Sequence, residues 1–237
     1  MIFTVMTGYF KDFLFFMLII LVHESGHASV ATFFRWNIEK IKILPFGGLT
    51  IFHEDINRPL FEEFFILIAG PLTQTFFCAF LSPFLSDTSF WYYHKMILFF
   101  NLLPITPLDG SKLCNIICNF FFPYLKSYQL TNEISIFAIF LLLSFLFRIP
   151  FNLFSFLMVF FLSLETIRSI KREKLFFHRF LFERYQKEYY FKKRIHINSK
   201  NVKKMRRDHL HLFKVKKNWH SEREILKERF DFKGFLW

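Results

Sequence analysis

Residues 13–34, FLFFMLIILVHESGHASVATFF, constrain this chain more than any other stretch. As a helix they would extend about 33 Å, enough to cross a hydrocarbon core. Yet His23, Glu24 and His27 lie inside the run, where each ionisable group is costly and marks a functional site by default. The fold must therefore surround this segment with partners for polar groups at membrane depth.

The rest of the sequence supports a membrane setting. Hydrophobic residues make up 53% of the 237 and aromatics 22%, with 40 phenylalanines, more than a soluble core of this size accommodates. Further apolar runs at 64–85, 91–105, 134–149 and 151–167 bring the expectation to five spans, two of them short, in an all-α polytopic protein. The first eleven residues are apolar but too few to cross and lack signal-peptide features, so they read as the end of a missing or shortened first helix. Charge divides the chain: residues 1–165 hold 9 basic and 11 acidic side chains, residues 166–237 hold 22 and 8. That imbalance excludes a secreted disulfide scaffold or a disordered protein and places the basic tail on the cytoplasmic side. The expected division is a transmembrane core over 1–168 and a basic linker and tail over 169–237. The tail's cations, interleaved with apolar residues, suit anionic lipid better than nucleic acid, and no nucleic-acid partner is expected. Cys78, Cys114 and Cys118 show no C-x-x-C spacing and read as reduced core thiols.

The spacing in H-E-S-G-H has a mechanism. Residues i and i+4 share a helix face, so both imidazoles can bind one zinc ion, and Glu24 beside them can reach a water on that metal. Gly26 either lets a neighbouring helix pack closely or leaves room for a water and a substrate backbone. A catalytic zinc usually has three protein ligands. Asp109 is the best candidate for the third: N-L-L-P-I-T-P-L-D-G puts a carboxylate after two prolines at the end of a short apolar run, although an Asp there could simply cap a following helix. Asn101, in an apolar segment, either contacts substrate or ties segment ends together. The connection ILPFGGLTIFHEDINRP, with Gly47 and Gly48, reads either as a hairpin dipping into the membrane beside the site or as a surface hairpin.

Taken as an ordered set, HESGH, LPFGG, the segment NRPLFEEFFILIAGPLTQ with Ala69-Gly70-Pro71, and NLLPITPLDGSK resemble the site-2-protease family of intramembrane zinc metalloproteases, in particular its sporulation branch. The likeness covers roughly residues 13–185. It implies a six-helix membrane core with a re-entrant hairpin, of which this chain would carry five full spans and a partial first helix. It further implies one Zn2+ held by His23, His27 and Asp109, with Glu24 as catalytic acid/base and Asn101, Gly47 and Gly48 at the substrate. The substrate implied for the branch is the membrane-tethered precursor pro-sigma-K, cleaved in the membrane around the forespore, with membrane lipids and membrane regulators as further partners. Relatives of the branch continue into a nucleotide-sensing CBS domain; after Tyr185 the sequence offers no recognisable one. Two rivals are a membrane metal transporter, which needs several polar spans along a path, and an inactive protease-like scaffold, against which the complete H-E-x-x-H set argues.

Overall fold

The computed structural model describes residues 10–44, 47–52, 55–148, 150, 152–215 and 218–231, with the backbone alone for 38–44 and 47–52. Six helices form the body: α1 (Phe10–Phe33), α2 (Leu60–Leu81), α3 (Thr88–Asn101), α4 (Asp109–Phe121), α5 (Tyr124–Leu146) and α6 (Leu153–Gln186). Between α1 and α2 lies an antiparallel hairpin, β1 (Ile38–Leu44) and β2 (Gly47–Phe52). After α6 come β3 (Lys193–Ile197), β4 (His209–Val215), β5 (Asn218–Ser221) and α7 (Glu222–Asp231).

Four helices, α1, α2, α5 and α6, are long and apolar enough to cross a bilayer. Their exteriors are greasy, and their interiors hold ionisable and amide groups among apolar ones, unlike a soluble bundle. On α2, Phe76 and Phe80 are each 72% exposed while Gln74 is wholly buried. His23, Glu24, His27, Asn101 and Asp109 are buried as well. Aromatic side chains on the outside therefore meet lipid, and the chain is an integral membrane protein.

Local signals account for the helix ends. Asp87 accepts from the Ser89 N–H at 2.9 Å and starts α3; Asn152 does the same for Phe154 at 2.9 Å and starts α6. Glu62 and Glu63 lie in the first turn of α2, where the helix dipole favours them. Glu63 meets Arg207 at 2.7 Å, and Asp208 accepts from the Leu60 N–H at 3.0 Å, so residues from beyond α6 cap this helix. α1 and α2 pack along their length because Gly26 is bare: a Cβ there would come within 2.6 Å of the Ala69 carbonyl oxygen and of Thr73 Oγ1. The space beside Gly26 is thus taken by the neighbouring helix.

The structure departs from the sequence expectations or adds to them in three places. The stretch between the apolar runs 91–105 and 134–149 contains α4 and the start of α5, which begins at Tyr124 rather than near 134. Gly47 and Gly48 open β2, paired with Leu44 and Ile43; residues 45–46, between the two strands, lie outside the described residues. The basic tail is folded, with β3 and β4 parallel, β4 and β5 antiparallel, and α7 behind them. Ile197, Val202, Met205, Phe213, Ile225 and Leu226 from this unit share one core with Tyr124, Phe177, Phe180 and Leu181 of the helices. α6 runs unbroken through residue 168 to reach that core. The three cysteines are free.

Candidate metal centre

His23 and His27 project from successive turns of α1, and Asp109 is the first residue of α4. Their ligand atoms converge: His23 Nε2 lies 3.2 Å and His27 Nε2 3.0 Å from Asp109 Oδ2, and the two nitrogens are 3.1 Å apart. Donor atoms on a tetrahedral zinc with bonds of about 2.0–2.1 Å stand roughly 3.3 Å apart, so the triangle is of the right size.

The hydrogen bonds around it say what belongs at its centre. His27 Nδ1 donates to the Ile66 carbonyl at 2.7 Å, and His23 Nδ1 donates to Gln74 Oε1 at 2.9 Å. With Nδ1–H donating in this way, an imidazole acting as a metal ligand would turn the lone pair of Nε2 toward the carboxylate. Three acceptors facing one another at 3 Å, buried in a helix bundle, suit a cation and little else. Lys112 Nζ donates to Asp109 Oδ1 at 3.0 Å, which engages one carboxylate oxygen and leaves the other to the histidines. Glu24 is buried beside them on α1.

Gly70 makes the close approach of α2 possible. A Cβ there would lie 2.3 Å from His27 Nε2 and 2.5 Å from its Cε1, inside the imidazole. Pro71, the next residue, sits within the helix. Gly70, at the middle of the Ala69-Gly70-Pro71 element, is thus the surface on which the His27 ring rests.

Asn101 is the buried last residue of α3, and the loop from it leads to Asp109. Beside that loop a cleft of about 450 Å³ is lined by Thr106, Pro107, Ser111 and Lys112 on one side and by Glu63 and Arg207 on another. Gly47 and Gly48 are on β2, which packs alongside α1. The structure therefore brings His23, His27 and Asp109 into one cluster, with Glu24 on the same helix turn. Sequence reasoning missed Gln74, His94 and Lys112. A bare amide in the apolar run 64–85 was the available signal for Gln74, by the same argument that singled out Asn101.

The profile described as peptidase family M50 matches residues 12–91. Stage IV sporulation protein FB of Bacillus subtilis (strain 168) is 38% identical over 190 residues, covering 76% of this chain and 66% of that one. The chain belongs to peptidase family M50. This is the site-2-protease family of membrane zinc metallopeptidases expected from the motifs. A zinc metalloprotease of Methanocaldococcus jannaschii is 29% identical over 133 residues, 52% of this chain and 38% of that protein. The chain thus spans just under two thirds of the first relative's length and well under half of the second's. The solved structure of the site-2 protease from Methanocaldococcus jannaschii superposes with a TM-score of 0.55 at 24% identity, covering 70% of this chain and 82% of that one, a likeness of fold. The M50 profile contains both histidines, Glu24 and Gly70, and Asp109 arrives from outside the matched segment to complete the cluster.

Proposed function

We propose that the chain is an intramembrane zinc metalloprotease that hydrolyses a peptide bond in or near the membrane segment of a protein substrate. One observation carries the reading: three acceptor atoms from His23, His27 and Asp109 meet at 3.0–3.2 Å beside the buried Glu24. These residues would hold one Zn2+. Bound zinc would supply Lewis acidity, lowering the pKa of a water toward about 7 and polarising a carbonyl. Glu24 takes the proton from the attacking water and passes it to the leaving amine, general base and then general acid. Lys112, by engaging Oδ1 of Asp109, keeps that carboxylate from swinging away. Asn101 lies at the substrate. The free edge of the β1–β2 hairpin, with Gly47 and Gly48 at its head, pairs with a substrate strand once the substrate helix has unwound at its cleavage point.

The sporulation relative suggests the substrate: pro-sigma-K, tethered to the membrane surrounding the forespore, with the basic tail on the cytoplasmic side near anionic lipid. Among the described residues one group of His, Cys, Asp and Glu side chains can hold a metal ion. A transporter path calls for a succession of such sites, so the single cluster favours hydrolysis over transport. The test is reconstitution of the full chain in liposomes with membrane-tethered pro-sigma-K. Cleavage should require zinc, stop on chelation and return on zinc addition. Efficient cleavage of an unrelated tethered protein with none of pro-sigma-K would remove the substrate assignment and leave the protease.

A further inference from the structure

Gln74 is wholly buried in a membrane helix, and its amide is fully used. Its Nε2 donates to the His94 carbonyl at 2.9 Å and to His94 Nδ1 at 3.1 Å. The His94 carbonyl can only accept, which fixes that end of the amide as nitrogen. Oε1 is thereby turned toward His23 and accepts from its Nδ1 at 2.9 Å. His94 is itself held: its ring packs edge-on against Trp91, centroids 6.0 Å apart, and the Trp91 indole N–H donates to the Leu85 carbonyl at 3.1 Å. The chain of contacts runs from Trp91 and His94 on α3, through Gln74 on α2, to His23 on α1.

We infer that Gln74, oriented by His94, is the positioning residue for the metal ligand His23, and that the short helix α3 acts on the metal site through this amide. The physical reason is the tautomer. With an acceptor on Nδ1, His23 keeps its proton there and offers Nε2 to the metal. With the amide removed, Nδ1–H is left buried without a partner, the proton can sit on either nitrogen, and the ring is free to rotate. His27 has no such dependence on a side chain, because its Nδ1 is served by the Ile66 carbonyl of the α2 backbone. The two zinc histidines are therefore supported unequally, and His23 is the one a side-chain substitution can release. Metal-bound imidazoles generally donate their second N–H to such a partner, and losing it costs about 10–100-fold in metal affinity.

The inference rests on the zinc reading above, and the experiment separates the two. Zinc affinity is measured by chelator competition on the full detergent-solubilised chain, with cobalt absorption as a second readout of ligand geometry. Wild type should bind one zinc; if it binds none, the zinc reading itself fails. Gln74→Leu, close in volume but without an acceptor, should lose about 10–100-fold in affinity. Gln74→Glu keeps an acceptor for His23 but sets its second oxygen against the His94 carbonyl, so it should bind zinc more weakly than wild type and more tightly than Gln74→Leu. A space-filling role predicts the opposite order, since a buried charge disturbs packing more than leucine does. Wild-type affinity in Gln74→Leu, or Gln74→Glu binding no better than Gln74→Leu, would overturn the assignment. Should Gln74→Leu fail to fold, His94→Phe keeps the ring packed against Trp91 but removes the Nδ1 acceptor. It should shift the cobalt absorption and weaken affinity severalfold, and a spectrum and affinity identical to wild type would overturn the role of His94.

Discussion

Arg184 ties the tail to the membrane core, and replacing it with methionine should loosen the tail without dissolving the helices. Its side chain is 1% exposed. Nε donates to Asn57 Oδ1 at 2.6 Å, Nη1 to the His209 carbonyl at 2.8 Å and to Glu222 at 2.9 Å, and Nη2 to the Arg206 carbonyl at 2.9 Å. The guanidinium also lies over Phe180 and Phe191, 4.9 and 5.0 Å from the ring centroids. Methionine keeps most of the apolar contact but leaves the Glu222 carboxylate, its side chain 13% exposed, without its cation. Breaking a buried pair from one side costs about 3–5 kcal/mol. At 1.36 kcal/mol per tenfold that is roughly two to nearly four orders of magnitude in opening of the unit. Amide hydrogen exchange of the full chain in nanodiscs reads it directly: β4 and β5 should lose that much protection while α1 and α2 keep theirs. Arg223→Ala, which removes an exposed pair with Glu188, should change protection by no more than about fivefold. Arg184→Met combined with Glu222→Leu should recover most of the loss, because no buried charge is then left alone. A loss under tenfold in Arg184→Met would refute the reasoning.

Gly70→Ala should lower zinc affinity by at least about tenfold, since a methyl 2.3 Å from His27 Nε2 must displace that ligand; chelator competition checks it. Asp109→Asn should weaken zinc binding and cleavage together, a neutral amide being the poorer ligand; full zinc occupancy with full activity would place the third ligand elsewhere. Acid should open the tail between pH 7 and 5. Burial pushes the His211 imidazole below its ordinary 6.5, and its Nε2 accepts from the Arg206 N–H while Nδ1–H donates to Glu222, so the folded unit refuses a proton that the open one takes up below pH 6.5. Glu222 acts in the same direction at lower pH: burial would raise its carboxyl, but the His211 hydrogen bond and the Arg184 charge hold it below the usual range. The protection factor of β4, measured against the intrinsic exchange rate at each pH, should therefore fall on acidification, and His211→Leu should flatten the profile above pH 5.

The candidate metal centre was readable because its strongest element is local. The i, i+4 spacing of His23 and His27 fixes their common face whatever packs around them, and two prolines ahead of Asp109 mark where a chain can turn a carboxylate inward. What supports the centre was harder to read, since Gln74 and His94 acquire meaning only when α1, α2 and α3 are side by side. α4 escaped notice because its apolar positions Leu113, Ile116, Ile117 and Phe120 form a helical stripe too short and too polar for a span. The tail was hidden for a different reason. Its first two strands pair in parallel across an intervening loop, its few apolar residues are scattered among cations, and four of the ten buried residues of its core, Tyr124, Phe177, Phe180 and Leu181, are supplied by the helices. No window within the tail holds enough apolar area to announce a fold.

The central claim is that Glu24 moves protons at a metal held by other residues. Zinc content and cleavage measured together on Glu24→Gln and wild type, in the same liposomes, test it most directly. Both proteins should carry one zinc per chain, because His23, His27 and Asp109 are untouched, and the variant should lose cleavage by at least about two orders of magnitude, the range of general acid–base catalysis. Cleavage by Glu24→Gln within tenfold of wild type at full zinc occupancy would contradict the account.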